Sequence, residues 1–133
     1  MAGVYELVKN RKTYSIEANQ TVTEAARLMA ERNIGAVVVL RDGKLAGIFS
    51  ERDVVKRVVA FGRSPGTTKV SEVMTSNPRV VTPEESVDEC LFIMREFGFR
   101  HLPICADQEL LGLVSLRDIL LHSASRRPGL AAS

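Results

Sequence analysis

The chain repeats itself. A shift of 65 residues lays Val22 on Val87, Glu24 on Glu89 and Met29 on Met94 without a gap. In the same register Asp42 meets Asp107, Leu45 meets Leu110 and Gly47 meets Gly112, while Ser50, Arg52 and Asp53 meet Ser115, Arg117 and Asp118. A register held over so many positions means two copies of one supersecondary unit. Neither copy alone can bury both faces of so small a sheet, so the two are expected to pack on each other as a single module within the 133 residues.

Each copy reads the same way. Thr21-Val22-Thr23-Glu24 and Ser86-Val87-Asp88-Glu89 are capping boxes, in which the hydroxyl accepts from the N3 amide and the Glu reaches back to the cap. Behind them Val22, Ala25, Ala26 and Met29, and Val87, Cys90, Leu91 and Met94, recur at the spacing of a helix with one buried face. A β-rich run follows, Ala36 to Leu40 or Leu102 to Cys105. Then come a turn at Arg41 to Lys44 or Ala106 to Glu109, and a second strand, Leu45 to Phe49 or Leu110 to Val114. A second helix opens at Ser50 or Ser115. Short strands near Thr13 to Ile16 and Arg79 to Thr82 precede the first helices, and Val4 to Val8 suggests a leading helix. The expected fold is therefore α/β: two pseudo-symmetric β-α-β-β-α repeats with small mixed sheets. Their bounds are 9–62 and 69–124, with a linker at 63–68 and a flexible tail at 125–133.

Composition narrows the function. The net charge of +2 and an aromatic share of 5% argue against the basic grooves and stacking platforms of nucleic-acid binders. No apolar run approaches the roughly 20 residues needed to span a bilayer, and Met1 to Glu6 lacks the features of a secretory signal, so a cytoplasmic protein without membrane contact is expected. Cys90 and Cys105 form no CxxC pair and read as buried, reduced thiols. HExxH, GxSxG, the P-loop and zinc-type Cys/His spacings are all missing, so neither catalysis nor a metal is expected. Asp53 and Asp118 occupy equivalent places, whereas an acid/base pair needs two different environments.

The distinctive segments are Gly47-Ile48-Phe49-Ser50-Glu51-Arg52-Asp53 and Gly112-Leu113-Val114-Ser115-Leu116-Arg117-Asp118, each where a strand ends and a helix begins. A helix start favours an anion, an ionised Asp accepts from the cis hydroxyls of a ribose, and an Arg offers phosphate a planar fork of donors. The same Ser-x-x-Asp is also a plain helix cap, which needs no ligand. An Arg in the first turn, against the dipole, and a Gly that permits close approach of another group are more than a bare cap requires, and both copies have them. The second copy adds Arg100-His101 before its central strand, a cationic pair suited to phosphate, where the first has Gly35-Ala36. His122 has no evident role.

The duplicated Gly-h-h-Ser-x-x-Asp segments (h being apolar), the run Phe99-Arg100-His101-Leu102-Pro103-Ile104, and Val73-Met74-Thr75 together resemble the CBS-domain family in its tandem form, over about residues 5 to 124. The resemblance implies two clefts between the repeats that hold AMP, ADP, ATP, NAD or S-adenosylmethionine, AMP foremost, with no required cofactor. It implies that Asp53 and Asp118 hold ribose and that Ser50 and Ser115 sit by ribose and phosphate. Ile48 and Leu113 would line the clefts, with Ile34, Ala36 and Phe99 near their base. Arg52, Arg117, Arg100 and His101 would face phosphate. Such a module is non-catalytic and relays nucleotide levels to a regulated protein in trans; a purely structural dimerisation module is the alternative. Apolar helix faces around Val54, Val58, Ile119 and Leu120 suggest a homodimer.

Overall fold

The two capping sequences start two equal helices. In the computed structural model, which describes residues 3–125, α1 (Val22–Arg32) and α4 (Val87–Phe97) each have eleven residues and end on a left-handed residue, Asn33 or Gly98. The first box is complete: Thr21 Oγ1 accepts from the Glu24 amide at 3.2 Å, and Glu24 Oε1 accepts from the Thr21 amide at 2.9 Å. The second is half-formed. Ser86 Oγ accepts from the Glu89 amide at 3.0 Å, but the Ser86 amide donates to neighbouring Glu85 at 3.2 Å, so Glu89 has nothing to reach back to.

Strands β2 (Ala36–Arg41) and β3 (Lys44–Ser50) form one hairpin, and β5 (His101–Ala106) and β6 (Glu109–Ser115) form the other. The hairpins match in register: Ala36 faces Ser50 as His101 faces Ser115, and a bulge falls between Val39 and Leu40 as it does between Ile104 and Cys105. Around the first hairpin the sheet is completed by β1 (Ser15–Glu17), parallel to β2, and β4 (Thr75–Ser76), antiparallel to β3, in the order β1-β2-β3-β4. The second hairpin stands as a two-stranded sheet.

The strand expected at Arg79 to Thr82 is reduced to a single bridge from Val81 to Ile104. Two prolines account for the loss. The Ala18 amide extends the first copy's ladder by donating to the Leu40 carbonyl at 2.8 Å. The Val38 amide likewise donates to the Tyr14 carbonyl at 3.2 Å, and the equivalent residues in the second copy, Pro83 and Pro103, have no N–H.

The chain divides into two compact units, 13–78 and 1–12 with 79–133, so each repeat's unit is closed by the segment that leads into the other repeat. Val4–Leu7, a single 3-10 turn, packs on the second hairpin's unit, and α3 (Val70–Val73) packs on the first. The docking contacts correspond. The Val4 amide donates to Glu85 O at 2.7 Å and the Val70 amide to Gln20 O at 2.8 Å; the Tyr5 amide donates to Pro83 O at 3.2 Å and the Ser71 amide to Ala18 O at 3.0 Å. Gly3 is forced by this docking, since a Cβ there would stand 2.2 Å from the Pro83 carbonyl oxygen.

Each core lies between one sheet face and the helices. Val37, Val39 and Phe49 meet Val22, Ala25 and Met29 in one unit, while Leu102, Ile104 and Val114 meet Cys90, Ile93 and Met94 in the other. The helix after β3 begins as α2 (Glu51–Asp53) and widens into a π-helical stretch, Val54–Val59; the helix after β6, α5 (Leu116–Ser125), is regular. Val58 and Ile119, expected on exposed faces, are fully buried in their own cores because each lies on the inward face of its helix, and Val54 packs against the first core. Leu120 is exposed as expected, and on these two helices Val55, Val59 and Leu121 are exposed with it, with Phe61 just beyond the first helix. Of the expected tail, Ser125 closes α5 and the rest lies outside the described residues. No helix of the described residues is long and apolar enough to cross a membrane.

Candidate functional site

Side chains alternate across a strand, and this sorts the predicted site residues. Val37, Val39 and Phe49 point into the first core, so Ala36, Ile48 and Ser50 point out of the opposite face of the sheet. Ala36 and Ile48 are buried there all the same, at 6% and 7% exposure, outside the core cluster. By the same alternation His101, Leu113 and Ser115 share the outer face of the second hairpin. Ile34 and Phe99 instead pack against the two cores, Phe99 also stacking on Phe97 at 6.1 Å between ring centroids.

The two Ser-x-x-Asp segments are complete caps. Ser50 Oγ accepts from the Asp53 amide at 3.2 Å, while Asp53 Oδ2 accepts from the Ser50 amide at 2.9 Å and from its hydroxyl at 3.0 Å. In the second copy Ser115 Oγ accepts from the Asp118 amide at 3.0 Å, and Asp118 Oδ2 accepts from the Ser115 amide at 2.8 Å. The start of each central strand is tied to the same helix start: the Glu51 amide donates to Gly35 O at 3.0 Å and the Leu116 amide to Arg100 O at 2.8 Å. Arg100 is thereby anchored one residue along from the Ser115 cap. In the first copy a side chain at position 35 would meet the Glu51 carboxylate, 3.2 Å from a Cβ built there. Arg52, Arg100 and Arg117 are exposed, and among the described residues none of their side chains is committed to a hydrogen bond or ion pair.

Gly47 is explained by the fold. A Cβ there would lie 2.5 Å from Thr75 O and 2.7 Å from Met74 Sδ, so the group that approaches it is the chain's own β4.

Two arginines that the sequence reading passed over complete the site. Arg57 Nε lies 3.5 Å from Asp53 Oδ1, and Arg57 Nη1 donates to the carbonyls of Val73 and Met74 at 3.3 and 2.9 Å. Its spacing of four from Asp53 on one helix was a usable signal. Arg11 grips Asp118 with a bidentate fork, Nη1 to Oδ1 at 2.9 Å and Nη2 to Oδ2 at 2.7 Å. No local pattern links residues so far apart in sequence. Burial of Asp118 pushes its pKa up, but the Arg11 fork, the Ser115 amide and hydroxyl, and the Arg11 charge together hold it below its ordinary value.

Cys90 is buried and Cys105 half-buried, both reduced, as the sequence suggested for the first and in part for the second. Burial, helped by the charges of Glu85 and Glu89, raises the Cys90 thiol to about 11, which leaves it unreactive near neutrality. No group of ligands that could hold a metal ion occurs among the described residues.

A duplicated hairpin-and-helix unit with a Ser-x-x-Asp cap on each copy defines a tandem-repeat module, and comparison with known proteins agrees. The CBS domain family matches residues 4–60 and 70–125. A solved protein with CBS domains from Burkholderia ambifaria superimposes with a TM-score of 0.88 at 36% identity, covering 93% of this chain and 95% of its own. The CBS domain-containing protein YhcV of Bacillus subtilis is 37% identical over 111 residues, 84% of this chain and 79% of its own. The mitochondrial CBS domain-containing protein CBSX3 of Arabidopsis thaliana is 36% identical over 107 residues, 77% of this chain; this chain spans about half, 52%, of that relative's length. The chain belongs to the CBS domain family.

Proposed function

We propose that this chain is a non-catalytic regulatory module that binds an adenine nucleotide, AMP foremost with ADP, ATP or NAD as variants, and relays its level to a separate protein. The observation that carries the reading is the pair of equivalent aspartates beside uncommitted arginines. Asp53 leaves Oδ1 with only a 3.5 Å contact to Arg57, so that oxygen is available to ribose hydroxyls. Arg52 and Arg117 lie inside the two caps and Arg100 is tied to the second by the Leu116 amide on its carbonyl; all three are exposed cations suited to phosphate. The test is a thermal-shift panel of AMP, ADP, ATP, NAD and S-adenosylmethionine at millimolar levels, followed by calorimetry. Ligand at 100 times its dissociation constant adds about 2.7 kcal/mol of stability. Arg100→Ala weakens AMP about tenfold or more and leaves adenosine nearly unchanged, because a hydrogen bond to a charged group contributes roughly 1.5–3 kcal/mol. No shift with any member of the panel defeats the reading.

One observation favours the structural alternative. Both Ser-x-x-Asp caps are satisfied internally and need no ligand to form. In that case the working surface is the exposed apolar side chains of the helices that follow the hairpins, Val55 and Val59 with nearby Phe61 on one unit and Leu120 and Leu121 on the other. Under both readings a second copy of the chain covers these side chains. Light scattering that stays at the mass of one chain at all concentrations would reject that partner.

A further inference from the structure

The two candidate ribose aspartates are not equally open. An ionised carboxylate has about four lone-pair sites. Asp118 already accepts from Arg11 Nη1 at 2.9 Å, from Arg11 Nη2 at 2.7 Å and from the Ser115 amide at 2.8 Å. A vicinal diol donates two hydrogen bonds, so one resident donor has to leave before it can bind. The Ser115 amide is part of the cap that starts α5 and cannot leave without undoing it. Arg11 can: its side chain is 51% exposed, it lies beyond the Val4–Leu7 turn, and water is ready to solvate it. Asp53 is guarded less closely: both bonds from Ser50 fall on Oδ2, Oδ1 has only Arg57 Nε at 3.5 Å, and Arg57 Nη1 donates instead to the Val73 and Met74 carbonyls.

Resting on the nucleotide-binding reading, we infer that Arg11 determines specificity at Asp118: it closes the carboxylate to a bare nucleoside and yields to a ligand whose phosphate can receive the displaced guanidinium. A nucleoside that takes Asp118 breaks a bidentate ion pair and returns nothing to Arg11. A nucleotide breaks the same pair but presents an anion to the same planar fork, which binds phosphate as it binds carboxylate. The Asp53 site lacks this exchange, because Arg57 reaches Asp53 through Nε alone, at 3.5 Å, and its Nη1 is held by the Val73 and Met74 carbonyls. The chain thus carries one site that takes nucleoside or nucleotide and one that selects the nucleotide.

Calorimetry with adenosine and AMP tests this on Asp53→Ala, which leaves the Asp118 site, with and without Arg11→Ala or Arg11→Lys. Arg11→Ala is expected to strengthen adenosine about threefold to fivefold, as suits a partly exposed ion pair, and to weaken AMP, so that the preference for AMP falls by about tenfold. Arg11→Lys, which keeps the charge without the fork, falls between. The same three measurements in the chain with Asp53 intact decide the matter if Asp53→Ala does not fold. Equal weakening of both ligands, or no change in either, overturns the role of Arg11 while leaving nucleotide binding in place. If the unsubstituted chain binds neither adenosine nor AMP, the parent reading fails and this inference fails with it.

Discussion

Asp53 and Asp118 stand at the same place in a duplicated unit and accept the same amide from the serine three residues before them, yet their counter-ions come from different sources. Asp53 is approached by Arg57 from its own helix, at 3.5 Å; Asp118 is gripped by Arg11, 107 residues away. Neither copy can make the other's pair. The repeat register lays Arg57 on His122, and the leading segments, which match with Val4 on Val70, lay Arg11 on Asn77. Duplication has preserved the backbone geometry of the cap, which depends on contacts three residues apart. The electrostatics around it depends on which leading segment docks nearby, and there the copies have diverged.

The same comparison extends to the cores, where the largest effects are expected. Phe49 and Val114 are equivalent, and both are fully buried. Phe49→Ala should cost about 3–5 kcal/mol, against about 2 kcal/mol for Val114→Ala. Urea denaturation of the two variants measures the difference. Equal losses would mean that the first core collapses around the missing ring and that the two units are better matched than their side chains suggest.

Next comes the sheet edge that only the first unit has. Gly47→Ala drives a methyl group against the Thr75 carbonyl, and a cost of about 1–3 kcal/mol is expected. Amide exchange should then quicken at the β3–β4 pairing while the β5–β6 hairpin keeps its protection.

A smaller effect is read by pH at Asp118. The folded-state pKa of Asp118 is depressed, so its contribution to stability is fully present above the unfolded carboxylate range and is lost as pH falls through the depressed folded value. Arg11→Ala should flatten that acid limb and cost about 0.5–1 kcal/mol at neutral pH, the modest figure reflecting the exposure of Arg11. Acid melts of the two chains compare the limbs directly. An unchanged limb would show that the Ser115 amide and hydroxyl alone depress Asp118.

An effect of similar size is expected at the hairpin turns. Asp42-Gly43 and Asp107-Gln108 have positive φ at all four residues, with Gln108 at 68° where the first copy has glycine at 77°. Gln108→Gly should therefore stabilise the chain by about 0.5–1 kcal/mol, the relief of left-handed strain less the added freedom of the unfolded chain. A lowered urea midpoint would indicate that the Gln108 side chain makes a compensating contact.

Much of this was legible along the chain. The helices, the hairpins and both Ser-x-x-Asp caps follow from spacings of two to four residues, and they stand where those spacings put them. The strand lost at Val81 was legible in principle too, since Pro83 and Pro103 remove donors that Ala18 and Val38 supply; the apolar pattern alone hid it. The exposed apolar face was placed correctly at Leu120 but one step out at Val58 and Ile119. Periodicity says that one face is buried but does not say whether Val58 or Val55 lies on it until the hairpin beneath is in place.

The sequence by itself determined two copies of a hairpin flanked by capped helices, because helix periodicity, strand alternation and capping are local and duplicate along with the residues that make them. Only the tertiary structure decided that each leading segment closes the other repeat's unit, that β4 explains Gly47, and that Arg11 neutralises Asp118. Those contacts join residues tens to more than a hundred positions apart. Their energy comes from burial and from charge brought together in space, for which local spacing carries no signal.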